Sequence, residues 1–214
     1  LGTDGRLRMN PPEEIERRLD RAFAVVFEEV IRTRKIKIEQ EFTNYEEAKT
    51  DLEQSLNQNP NYDYANWNMG RILAALHRYK EARTYYLLAT SLMKKEVDRA
   101  SCYVDLYWSD RSLLEYGQAL VHINEAIRLN PYYRSYLWNR AYLFGLRKEY
   151  ANALDDYKKV VNLYSSDTNT ISLVSLYIEM GLLKSKMKDY AGGLKDLQKA
   201  VELDASNHNA YYEL

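Results

Sequence analysis

Residues 66–92 read NWNMGRILAALHRYKEARTYYLLATSL, and residues 137–163 read LWNRAYLFGLRKEYANALDDYKKVVNL. Each stretch holds two segments with apolar or small residues at helical spacing. In and just before the first, Ala65, Met69, Ile72 and Leu73 recur, then Tyr79, Ala82, Tyr86 and Ala89, with Leu92 closing the segment. In the second, Leu137, Ala141 and Phe144 are followed by Tyr150, Ala153, Tyr157 and Val160. The breaks between them, such as Leu76–Arg78, have room only for a tight turn between two helices.

Aligning the chain on a tyrosine followed three residues later by a small residue extends the pattern. The pairs are Tyr45/Ala48, Tyr79/Ala82, Tyr116/Ala119, Tyr150/Ala153 and Tyr190/Gly193, with tyrosines 34, 37, 34 and 40 residues apart. This is a 34-residue period with two short insertions, placed around Val97–Arg99 and Ser165–Ser172. A fixed period of this length is the mark of stacked helical hairpins. Helices approach closely only where one side chain is tiny. Gly70, Ala141 and Gly181 meet that need on the first helices, and the five aligned small residues on the second. Gly193 costs about 1 kcal/mol of helix propensity relative to alanine, so packing is the reason to expect it there. Pro60 and Pro131 follow second helices, where proline ends one helix and opens the next.

These stretches, with YGQALVHINEAIRLNP at 116–131, resemble the tetratricopeptide repeat family over residues 29–207. The resemblance implies an all-α, right-handed superhelical solenoid of helix-turn-helix hairpins. About five repeats are expected, at 29–62, 63–96, 100–133, 134–167 and 174–207. Residues 1–9 read as a disordered tail, 10–28 as a capping helix that runs toward the first repeat, and 208–214 as the start of a further helix. Asn10 is a plausible N-cap for the capping helix, followed by proline and acids. Two first helices depart from the pattern, carrying Ile36 and Tyr107 where a small residue is usual. Their hairpins are expected to splay.

Bulk chemistry excludes several classes. Net charge is -1 and the pI about 6.4, without the basic excess of a nucleic-acid binder. The short basic run Arg32, Arg34, Lys35 and Lys37 is flanked by glutamates and reads as a solvated face. The longest apolar run, residues 22–27, is far short of a membrane span. One cysteine, Cys102, precludes an internal disulfide and suits a cytoplasmic setting, an exported one being the alternative if a leader preceded Leu1. His77, His122 and His208 have no second ligand at metal spacing and read as solvated, so no metal or cofactor is expected. No phosphate-cradling glycine loop or G-x-S-x-G occurs, and Asp155/Asp156 read as solubilising charges. Cys102 reads as a packed thiol rather than a nucleophile. No catalytic residue is assigned, and the chain reads as a non-enzyme.

In the resembled family the first helices line a concave groove, at the second, fifth, ninth, twelfth and thirteenth positions of each repeat. That implies Tyr64, Trp67 and Arg71 from the second repeat, Trp108 and Arg111 from the third, and Trp138 and Tyr142 from the fourth. All three tryptophans fall on this face. Tryptophan, tyrosine and arginine dominate binding energy at interfaces. The alternative is that the rings pack between neighbouring first helices. For Trp67 and Trp138 the usual packing position is one residue earlier, which favours the groove. The implied partner is a protein or peptide with apolar anchors and an acidic group, and self-association or service as a module of a larger protein are the competing roles. The chaperone-tail clamp found in some members is not expected, because Thr33, Val104, Trp138 and Ile178 stand where its lysines belong and Asn68 and Asn139 lie in non-adjacent repeats.

Overall fold

A computed structural model of the chain describes residue 40, residues 43–164 and residues 170–213. The expected tail, the capping helix, Ile36 and the basic run at 32–37 lie outside the described residues. Two compact units divide at residue 51. In the first, the described residues are helical and carry local contacts such as Lys49 to Glu46. The helix α1 spans 43–58.

The second unit continues through α2 (Asp63–Ala75), α3 (Tyr79–Leu92), α4 (Glu96–Ser112), α5 (Tyr116–Leu129), α6 (Arg134–Leu146), α7 (Tyr150–Tyr164), α8 (Thr170–Lys186), α9 (Tyr190–Leu203) and α10 (His208–Glu213). No strand occurs among the described residues. The helices pair as hairpins α2/α3, α4/α5, α6/α7 and α8/α9, and each hairpin packs on the next. In these four hairpins the aligned tyrosine (Tyr79, Tyr116, Tyr150 or Tyr190) is the first residue of the second helix. The residues three, seven and ten places after it are buried in all four hairpins. They are Ala82, Tyr86 and Ala89; Ala119, Ile123 and Ala126; Ala153, Tyr157 and Val160; Gly193, Leu197 and Ala200. This stripe is the core-facing side of an amphipathic helix.

Small residues set the helix separation. A Cβ on Gly70 would lie 2.5 Å from the Tyr86 ring, and one on Gly181 would lie 2.8 Å from Leu197 and 3.0 Å from the Gly193 carbonyl. The Tyr107 ring is buried instead of splaying the third hairpin, and its hydroxyl donates to the Asn139 carbonyl on α6 at 3.1 Å. Its bulk is taken up toward the next hairpin. The residues Val97–Arg99, read from sequence as lying between repeats, are helical. They lengthen α4 to 17 residues against 13 in α2 and α6.

The turns inside the hairpins share one device. His77, Leu114, Lys148 and Lys188 all have positive φ, between 60° and 66°. In each, the following amide bonds back to the carbonyl five residues earlier: Arg78 to Leu73, Glu115 to Asp110, Glu149 to Phe144 and Asp189 to Lys184, at 2.8–2.9 Å. The left-handed residue's own amide reaches the carbonyl three residues back. This pair of bonds satisfies carbonyls that the helix end would orphan, and glycine would ordinarily supply the left-handed residue.

Two polar readings are corrected. Asp156 is buried, not solvent-facing, because Arg140 clasps it with Nε and Nη2 at 2.6 and 2.8 Å. Asp155, by contrast, is exposed and pairs with Lys159. His122 is buried as well, its Nδ1 2.6 Å from Asp110 Oδ2, and Arg83 reaches both Asp110 and Glu115. Lys184 and Asp196 make a third such link, between α8 and α9. His122, Asp156 and Asp196 each lie six residues after their aligned tyrosine. Burial of a charge is tolerated only with such partners.

Ala153 is fully buried between helices. Ala153→Leu is expected to overpack that contact and cost ~1–3 kcal/mol. Hydrogen exchange should quicken first in α6 and α7, and an unchanged profile there would contradict the packing described. Leu114 is 71% exposed and left-handed. Leu114→Gly relieves that strain and is expected to gain up to about 1 kcal/mol, read as a raised urea midpoint. A lowered midpoint would show that the Leu114 side chain contributes more than its conformation costs.

Candidate partner-binding face

The first helices α2, α4, α6 and α8 present side chains at successive turns of one face, since residues three and four apart are neighbours on a helix. On α2, Tyr64, Trp67 and Arg71 follow one another. The Tyr64 and Trp67 rings are 6.2 Å apart, and the Arg71 guanidinium lies 5.9 Å from the Trp67 ring centroid. Both rings are tied to α4. The Trp67 indole N–H donates to Asp105 at 2.7 Å, and the Tyr64 hydroxyl donates to Asp98. The neighbouring Asp98 carboxylate pushes the Tyr64 hydroxyl above its ordinary pKa. Burial raises the Asp105 carboxyl, while the Trp67 hydrogen bond and the charge of Arg71 oppose that rise.

The second cluster bridges α4 and α6. Arg111 is held between two rings, 4.7 Å from the Trp108 centroid and 4.6 Å from the Tyr142 centroid. Trp108 is 44% exposed and Tyr142 38%. Beneath them, the buried Tyr107 ring meets Trp108 edge-on at 5.2 Å. Cation–π contacts of this kind fix an arginine's plane without neutralising it. Neither Arg71 nor Arg111 forms an ion pair with a carboxylate among the described residues.

The seven residues singled out from sequence therefore fall into three groups. Tyr64, Trp67 and Arg71 come together, as do Trp108, Arg111 and Tyr142. Trp138 stands apart from both: it is half-buried, packs against the core of α6, α7 and α8, and meets Tyr157 edge-on at 5.9 Å. Trp67 likewise borders a core cluster. Packing thus claims part of both rings, against the expectation from their register, and Trp108 is the most open of the three. Sequence reasoning missed Asp98 and Asp105, whose acidic side chains receive the α2 hydroxyl and indole. The signal was their spacing on one stripe of α4, Asp105 one turn before Trp108 and Asp98 two turns before Asp105.

Elsewhere the chemistry is structural. Cys102 is fully buried, its thiol 3.5 Å from the Tyr86 carbonyl, and burial pushes its pKa up, away from nucleophilic character. No cluster of histidine, cysteine and acidic groups able to hold a metal occurs among the described residues. No described helix is long and apolar enough to cross a membrane. An apolar cavity of about 430 Å³ opens among Ile127, Pro131, Tyr132, Leu137 and Leu163. Its basic neighbours are already engaged, Arg140 by Asp156 and Asn124, and Lys159 by Asp155.

Residues 34–92 and 174–207 match the tetratricopeptide repeat family. No curated protein matches the chain in sequence. Among solved structures, the chain is similar to MamA 41-end from Desulfovibrio magneticus RS-1, with a TM-score of 0.65 at 16% identity over 77% of this chain and 88% of that one. It is similar to YrrB, described as a tetratricopeptide repeat protein with an unusual peptide-binding site, with a TM-score of 0.66 at 15% identity over 79% and 83%. A tetratricopeptide repeat protein from Parabacteroides merdae ATCC 43184 gives 0.68 at 17% over 80% and 64%. At such identities the likeness establishes the fold, an all-α superhelical solenoid of helix-turn-helix hairpins. Tetratricopeptide repeats are thus matched in both halves of the array, at 34–92 and 174–207, on a solenoid fold common to all three structures.

Proposed function

We propose that this chain is a non-catalytic adaptor that holds a peptide segment of a partner protein along the groove of its first helices. Tetratricopeptide repeats are in general a protein-interaction fold, and YrrB, a similar structure, is described by its peptide-binding site. The observation that carries the reading is the Trp108–Arg111–Tyr142 stack. A cation held between two partly exposed rings, with no carboxylate of its own among the described residues, is an oriented fork for an acidic group. The rings on either side supply rigid apolar area at low entropic cost. The partner segment accordingly carries apolar anchors and at least one acid, with Arg71 beside Trp67 as a second place for a negative charge.

A displayed random-peptide library selected on the purified chain, followed by titration of the enriched peptides, tests this. Trp108→Ala is expected to weaken binding by ~2 kcal/mol or more, with little change in melting temperature because the ring is open. Trp138→Ala is expected to lower the melting temperature, because that ring packs on Tyr157. Binding indifferent to both Trp108→Ala and Arg111→Ala would overturn the groove reading. Light scattering that shows concentration-dependent growth, abolished by the same changes, would turn it into self-association through this face.

A further inference from the structure

Asn68, Asp105, Asn139 and Glu179 occupy the same place on α2, α4, α6 and α8, each following Trp67, Val104, Trp138 and Ile178 respectively. They make a polar row along the first-helix face, and two of the four are carboxylates. Asp105 is satisfied within the chain by the Trp67 indole, with Arg71 in electrostatic reach. Glu179 is not. It is half-buried, yet among the described residues it makes no hydrogen bond and no ion pair. Burial raises its carboxyl pKa, and Lys186, two turns further along α8, only partly opposes that rise. Tyr157 of α7 lies in electrostatic reach of Glu179, although burial is the larger influence on its hydroxyl. The chain therefore maintains a half-buried carboxylate without a partner among the described residues, in the same row of first-helix positions as Asp105 and on the face where Arg111 waits without an acid. A partly desolvated carboxylate is costly unless it gains a partner, and the partner that relieves it is a cation.

We infer that Glu179 is the subsite for a basic side chain of the partner, so that the bound segment carries an acid for Arg111 and a lysine or arginine for Glu179. This rests on the groove reading and sharpens it. Opposite charges on two separate helices fix the direction in which a segment lies, since reversing it would set acid against Glu179 and base against Arg111. Like-charge placement of that kind is how a groove rejects wrong partners.

The test extends the peptide selection to Glu179→Gln and Glu179→Lys. Peptides enriched on the wild-type chain are expected to share a basic position. Glu179→Gln should weaken the best of them about ten-fold, and should leave unchanged the affinity of the same peptide with its basic residue replaced by glutamine. Glu179→Lys should select an acidic residue at that position. Glu179→Gln is isosteric and removes a desolvated charge, so it is expected to melt no lower than the wild type. The inference is overturned if the consensus is the same on the wild-type and Glu179→Lys chains, or if Glu179→Gln weakens both peptides equally. A library whose peptides respond to Trp108 and Arg111 but show no basic position overturns the subsite and leaves the groove reading intact. One that enriches nothing on the wild type overturns both.

Discussion

The distance between the two helices of a hairpin governs everything else in this protein. At the Gly181–Gly193 crossing the two backbones come so close that a Cβ on either residue would sit about 3 Å from the other's carbonyl oxygen. At Gly70 the same space is filled by the face of the Tyr86 ring. Interiors pack to crystal-like density, so one methyl group at such a point has nowhere to go. With the helices this near, a large residue seven places after the aligned tyrosine plugs the centre of each hairpin, and a small or β-branched one at ten closes it. The first helix then has one side left over, and that side carries the rings and charges of the candidate site. The candidate face is a consequence of the closeness of the hairpin.

Charge is used inside the hairpins as well as on their surface. The link from α6 to α7 runs from Arg140 to Asp156, and that from α8 to α9 from Lys184 to Asp196. The α4/α5 hairpin reverses the sense, with the acid Asp110 on α4 and His122 on α5, and it draws Arg83 from the preceding hairpin. Removing one member of such a pair leaves an uncompensated buried charge, which costs far more than the pair contributes when intact. These links are therefore better understood as devices of register than of stability: each ties one specific turn of a first helix to one specific turn of a second, and Arg83 ties adjacent repeats.

How legible this was in the sequence follows from which physical rule each feature obeys. The hairpins, their tyrosine starts and their small contact residues obey spacing alone, and spacing is fully present in a sequence. The buried acids did not announce themselves because an aspartate six residues after the tyrosine looks the same whether its neighbour is water or an arginine from another helix. Asp155 and Asp156 are adjacent in sequence, yet one is solvated and the other clasped by Arg140, since successive residues on a helix point 100° apart. The left-handed turns were hidden for a similar reason. Glycine would have marked them, but histidine, leucine and two lysines stand there, held by a bonding pattern that depends on the backbone rather than on residue type.

The candidate site sorted itself by the same logic. Family register placed seven residues on one face, but register cannot say how deep a ring sinks. Trp138 sinks far enough to meet Tyr157, whose position is set by the hairpin core, and Trp67 is drawn to α4 by a carboxylate that also carries a desolvation cost. Trp108 is open because it stands at the ninth position of its repeat, as the exposed Arg71 and Tyr142 do in theirs, whereas Trp67 and Trp138 stand at the more deeply packed fifth. Tyr107, where a glycine or alanine is usual, is buried between α4 and α6, bonds the Asn139 carbonyl and meets the Trp108 indole edge-on, below the Arg111 guanidinium held between Trp108 and Tyr142. The departure from the repeat pattern thus lies directly against the most exposed part of the candidate site and ties it to α6.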